Sequence, residues 1–252
     1  MTVNLTHRIM KPATPYIQLH ERKRTWTPLA VSAGKTLPGG EETLQRALSL
    51  RVVELPVGEF IKDAMKGDLP NVEGCRELLL SNAEDEIKHD MALNYAAAVH
   101  KIPENIQAEA NKIGKTWIEL DRHPVLKAAI LERSVFFVLL PIFRFLGDTG
   151  LRSISADISR DEMTHVAAHS MVCKEIGASA DKIMNQMRRA TVNWVLEPLK
   201  AENTNKYLSS NFWMNCSDNL YRNGKAPELA ETRASRQPAF FEASNVDLPQ
   251  YA

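Results

Sequence analysis

The sequence is short of several things that would each have named a class of function. Its 31 basic and 31 acidic residues cancel, so no global charge excess favours a nucleic acid or an anionic membrane surface as partner. Cysteine is scarce. Cys75, Cys173 and Cys216 are far apart, odd in number and without a CxxC pair, which argues against a disulfide framework and for a reducing compartment. No run approaches the roughly 18 apolar residues of a membrane span, and Met1 to Lys11 lacks the apolar core of a signal peptide. A soluble, cytoplasmic chain is expected. A Gly-rich phosphate-binding loop, solenoid repeats and low-complexity tracts are missing as well.

What is present is helical periodicity. With 252 residues, 44% of them hydrophobic, the chain can bury one sizeable core. Residues 1–40, rich in Pro, Thr and basic residues, read as an N-terminal arm that wraps the domain and closes at Leu37-Pro38-Gly39-Gly40; Trp26 reads within it as a packing anchor. A helical domain over 41–222 follows, then a Pro-punctuated C-terminal tail over 223–252. The apolar spacing predicts helices over 41–66, 72–99, 104–122 and 125–145, the first kinked or interrupted at Pro56 and Gly58. Another helix, capped by Ser153 or Ser155, should end near Gly177, with two more over 180–200 and 206–221. The fold class is therefore all-α.

Two short stretches carry the chemistry. Glu86-Ile87-Lys88-His89 and Glu162-Met163-Thr164-His165 each place a carboxylate and an imidazole three residues apart, on one face of a helix. Glu132 interrupts the most apolar segment, where a bare carboxylate would cost several kcal/mol. With Glu59 upstream, the order Glu, ExxH, Glu, ExxH is the ligand set of a dinuclear site built by four helices around one core. Glu54 and Asp63 lie about a turn to either side of Glu59 and are open alternatives as first ligand. Four carboxylates and two imidazoles suit two hard or borderline cations. His169, four residues after His165, is open as a further ligand, although such a histidine is more often a core or outer-partner residue, and His100 and His123 read as boundary residues.

Ile158-Ser159-Arg160-Asp161-Glu162-Met163-Thr164-His165 resembles a helix segment of the radical-generating small subunit of class I ribonucleotide reductase, a member of the ferritin-like superfamily. Leu131-Glu132-Arg133-Ser134-Val135-Phe136-Phe137 is similar to that family's third ligand helix, and Trp26 followed by Pro28 to its arm. The resemblance implies a ferritin-like helix bundle holding two metal ions, Fe/Fe or Mn/Fe. It implies a radical-transfer line through His89, Asp161 and Trp26, with Tyr251 in the tail as a further relay. It also implies a homodimer, and a large catalytic subunit that docks the C-terminal peptide and reduces ribonucleotides. The chain departs from the family where familiar members carry a radical-forming Tyr four residues after the first ExxH histidine; here that position is Leu93, and Tyr95 lies about 200° further round the helix. Glu as first ligand together with Leu93 resembles the tyrosine-lacking manganese/iron subgroup. A stand-alone oxidase or oxygenase with a cavity near Phe136, Phe137, Leu140 and Leu93, and an iron-storage protein, are the competing expectations.

Overall fold

A computed structural model describes residues 12–67 and 69–229. Tyr251 and the C-terminal peptide over 246–252, which the resemblance implies docks a large subunit, lie outside the described residues, as does most of the expected tail. Among the described residues there is no strand, only a single bridge between Lys200 and Ser209. The chain is all-helical: α1 (Pro15–Glu21), α2 (Glu41–Ser49), α3 (Glu54–Ala64), α4 (Cys75–His100), α5 (Glu104–Glu119), α6 (Pro124–Leu131), α7 (Phe137–Leu146), α8 (Thr149–Glu175), α9 (Lys182–Leu196) and α10 (Ser210–Asn223).

Four of these helices position the site. Helix α3 packs on α4, α4 on α8, α8 on α6 and α6 back on α3, closing a ring. Each turns an apolar stripe inward; along α3 it is Val57, Phe60, Ile61 and Ala64, and along α4 Leu78, Leu79, Ala83, Ala92, Leu93 and Ala96. Gly58 permits the closest approach. A Cβ there would meet Ala83 O at 3.1 Å and Glu86 Cβ at 3.4 Å, so α3 and α4 touch beside Glu86.

The break expected at Pro56 and Gly58 falls earlier. A 3₁₀ turn over Leu50–Val53 separates α2 from α3, and Pro56 sits in the first turn of α3, where its missing N–H has no helical partner to lose. The cap of α8 also differs from expectation. Asp148 Oδ1 accepts from Leu151 N at 2.9 Å, whereas Ser155 lies inside the helix and donates to Leu140 O at 2.6 Å. Between α6 and α7 the chain forms a π-helix over Glu132–Phe136 that no periodicity announces.

The arm follows an ordered course over the helices. Tyr16 Oη donates to Glu175 at 2.9 Å near the end of α8, and Gly34 N donates to Asp148 Oδ2 at 2.7 Å near its start. Between these anchors lie Lys23 and Trp26, both reaching inward toward α4 and α8.

Candidate metal centre

Glu54, Glu86, His89, Glu132, Glu162 and His165 meet inside the ring, every one buried. Ligand atoms of Glu86, His89, Glu162 and His165 lie within 4.8 Å of one another. Both imidazoles aim Nδ1 at the carboxylates. His89 Nδ1 is 3.2 Å from Glu86 Oε2, 3.4 Å from Glu162 Oε1 and 3.8 Å from Glu54 Oε2. His165 Nδ1 is 3.0 Å from Glu86 Oε1, 3.7 Å from Glu132 Oε1 and 3.9 Å from Glu162 Oε2. Glu86 and Glu162 thus face both histidines with one oxygen each. Of these two histidines, Glu54 faces only His89 and Glu132 only His165.

The first carboxylate is a correction to the sequence expectation. The Glu59 side chain is 64% exposed and pairs with Lys62 at 2.7 Å, and Asp63 is exposed beside Lys66, while the Glu54 side chain is 4% exposed. The helical repeat explains the difference. Gly58 marks the face of α3 that touches α4; Glu54, four residues before it, shares that face, and Glu59, one residue after it, is turned away by about 100°.

The electrostatics are those of a site short of positive charge. Burial, then Glu86 and Glu162, pushes the Glu54 carboxyl well above the ordinary range; burial, then Glu162 and Glu86, does the same to Glu132. Burial also raises Glu162, against the pull of His89. Burial works against Glu86 ionising, yet His89 and His165 hold it in the charged form. His165 is raised to about 9 despite burial, because Asp85 and Glu86 hold its proton.

Several atoms still lack a partner of hydrogen-bonding geometry: Glu54 Oε2, Glu86 Oε1, Glu132 Oε1, both oxygens of Glu162 and His165 Nδ1. Buried polar atoms are rarely left so, and these all converge on one small volume. Two divalent ions would satisfy them and match the charge of the four carboxylates, and oxygen with imidazole donors suits iron or manganese. The residues present therefore form a buried Glu/His group that could hold metal ions.

The outer nitrogens of the two histidines are held crosswise. His89 Nε2 lies 3.3 Å from Asp161 Oδ2, and the same oxygen accepts from Trp26 Nε1 at 2.6 Å. His165 Nε2 lies 3.2 Å from Asp85 Oδ2. Each aspartate immediately precedes a candidate ligand glutamate on one helix and orients the candidate ligand histidine of the other, the carboxylate–histidine pairing that fixes ring orientation at metal sites. Asp85 is in turn bound by Lys23, and by Lys88 at 2.5 Å. His169 Nδ1 sits 2.5 Å from Glu132 Oε2, and burial followed by the nearby His165 lowers it to about 3, so its ring is neutral.

Asp85 and Lys23 complete the surroundings of the site beyond the residues singled out from the sequence, whereas His169 is the outer partner of Glu132 that the sequence allowed. For Asp85 a signal was present: Asp85-Glu86-Ile87-Lys88-His89 repeats the pattern of Asp161-Glu162-Met163-Thr164-His165. Among the described residues no helix is long and apolar enough to cross a membrane. No family model, curated protein or solved structure matches the chain.

Proposed function

We propose that the chain is the radical-generating small subunit of a class I ribonucleotide reductase, with a ferritin-like bundle around a dinuclear centre. One observation carries this reading. Trp26, half-buried in the arm, donates to Asp161, and Asp161 meets His89, whose other nitrogen faces the carboxylates. Storing iron or oxidising a small molecule at the metals requires no aromatic side chain of an arm joined to a ligand in this way. The Trp26 and His89 rings also stack with centroids 6.2 Å apart.

A bound Fe/Fe or Mn/Fe pair supplies the oxidising equivalent. Glu86 and Glu162, which face both histidines, would serve both ions, Glu54 with His89 and Glu132 with His165 would complete one subsite each, and the surrounding apolar side chains would keep water out. Asp161 fixes the His89 ring and stands ready at Oδ2 to take the indole proton when Trp26 gives up an electron. The indole is then the point of exit toward a partner. Leu93 is buried and offers no phenol, which together with Glu54 as first ligand supports the tyrosine-lacking manganese/iron subgroup.

The partner is a large catalytic subunit that binds the segment Val246 to Ala252, with Tyr251 as a relay. A homodimer fits the exposed apolar stripe of Leu80, Ile87, Met91 and Tyr95 on one face of α4. For the competing oxidase, Leu93, Phe136 and Leu140 are buried in the core cluster. Two surface hollows of about 540 and 480 Å³ are lined by no residue of the metal group.

The test is reconstitution with such a large subunit. Trp26→Phe should keep the metal content and lose ribonucleotide reduction, and deletion of Val246 to Ala252 should lose the partner. Turnover of a small molecule without any partner, unaffected by Trp26→Phe, would refute the reading.

A further inference from the structure

The two halves of the metal group are alike in their ligands and unlike in what stands behind them. Behind His89 is Asp161, whose outer partner is the neutral indole N–H of Trp26. Behind His165 is Asp85, whose outer partners are two ammonium groups, those of Lys23 and Lys88. Lys23 reaches the same half by a second route. Its Nζ donates to Asn82 Oδ1 at 3.0 Å, Asn82 Nδ2 lies 3.5 Å from His169 Nε2, and His169 Nδ1 lies 2.5 Å from Glu132 Oε2. Lys23 therefore heads two chains, which end on the two ligands that belong to one subsite alone.

We propose that Lys23, assisted by Lys88, makes the two metal subsites unequal, so that the first divalent cation enters at Glu54 and His89 and the second, more weakly, at Glu132 and His165. The inference rests on the dinuclear reading of the site but not on ribonucleotide reduction.

A carboxylate hydrogen-bonded to a ligand histidine strengthens that ligand by making it more basic. Among the described residues no lysine or arginine is recorded on Asp161, whose partners are His89 and the Trp26 indole. Asp85 spends its charge on two ammonium groups, one of them only 10% exposed in its side chain, where solvent screens little. His165 is therefore the poorer donor. Glu132 is weakened in the same direction, because one of its oxygens is already engaged by His169. Lys23 and Lys88 act through Asp85 and Asn82 and touch no metal, so they are positioning residues.

The subsites separate in solution through their private carboxylates. Glu132→Gln leaves the Glu54/His89 subsite, and Glu54→Gln leaves the Glu132/His165 subsite. Free Mn(II), measured by its magnetic resonance signal during titration of the full chain, gives the affinity of each. The Glu132→Gln protein should bind Mn(II) on the order of tenfold more tightly than the Glu54→Gln protein, the lower end of the range by which outer partners alter metal affinity. Adding Lys23→Met with Lys88→Met should tighten binding about tenfold in the Glu54→Gln background and leave the Glu132→Gln background unchanged. Lys88→Met alone, at a side chain 31% exposed, should give a smaller shift in the same direction and guards against loss of the fold in the double variant. Equal affinities of the two glutamine variants would overturn the proposal. So would a lysine effect that is the same in both backgrounds or missing from both. If neither variant nor the unaltered chain binds Mn(II), the dinuclear reading itself fails, which is a different result from two equal sites.

Discussion

Replacing Glu54 by glutamine should have opposite effects on the metal-free and the metal-loaded protein. In the metal-free chain Glu54 is a buried carboxyl pushed upward by burial first, then by Glu86 and Glu162, with His89 at 3.8 Å pulling the other way. The folded state therefore holds this proton more tightly than the unfolded chain does. Its destabilising effect begins once the pH passes the unfolded value of about 4.3 and grows until the folded-state value is reached. That cost grows by about 1.4 kcal/mol for each pH unit between the unfolded and the folded value, and an uncharged amide of similar shape removes it. Glu54→Gln should thus raise the melting temperature of chelator-treated protein at pH 8, by about 2–4 °C for each kcal/mol, and change it little at pH 4. With metal present the same substitution removes a ligand of the His89 subsite, and affinity there should fall by more than the 10–100-fold that losing an outer partner costs. Glu59→Gln is the control. It removes only an exposed pair with Lys62, expected to matter by less than about 1 kcal/mol in either state. Thermal unfolding followed by circular dichroism, with metal titration of the same preparations, reads both effects. Weakened metal binding in Glu59→Gln but not in Glu54→Gln, or a lower melting temperature of metal-free Glu54→Gln at pH 8, would refute the assignment.

Asp148, 1% exposed, accepts from Leu151 N and Gly34 N and lies 3.2 Å from His100 Nε2. Asp148→Ala should cost about 2–4 kcal/mol in urea unfolding, combining a helix cap with a charge-assisted bond from the arm. Although burial opposes it, His100 and the two amides hold this carboxyl below its ordinary value. Its stabilisation is therefore present above the unfolded value of about 3.9 and is lost as the pH falls through the folded one, so the cost of Asp148→Ala should shrink in acid. Burial pushes the Cys173 and Cys216 thiols up to about 12. Alkylation by iodoacetamide at pH 8 should accordingly be absent from these two cysteines in the native protein and appear with unfolding, as mass spectrometry of each peptide would show.

How much of this could be read from residues alone depends on which periodicity carried the signal. Long helices with an inward apolar stripe are the most legible because the stripe repeats many times: α4 lies within a few residues of its expected limits and α8 ends close to Gly177, although it begins at Thr149, before the expected cap. The inward set Glu86, His89, Glu132, Glu162 and His165 was legible for the same reason, each being polar at a position where the stripe calls for an apolar residue. Glu54 was harder. The helix start depends on a 3₁₀ turn that sets the phase of α3, and Gly58 draws the eye to its neighbour in sequence rather than to the residue one helical turn back. The partners of the arm were legible only for Trp26, whose pairing with Asp161 the resemblance implied. Lys23 is one basic residue among several in an aperiodic stretch, and nothing local distinguishes the one that turns inward.

The π-helix at Glu132–Phe136 has a mechanical consequence. Across those five residues the chain lags a continuous α-helix by roughly a quarter of a turn. Helices α6 and α7 are therefore cut out of phase, one timed by the carboxylate it delivers and the other by the apolar wall it builds. The joint is also fastened from outside. Arg133 Nε donates to Leu220 O at 2.8 Å, and Ser217 Oγ donates to Ser134 O at 2.6 Å, both on α10. Glu132 and α10 are in effect geared: winding the joint back to α would swing the carboxylate and those two bonds together, so a shift of the last long helix of the described chain would be felt at Glu132.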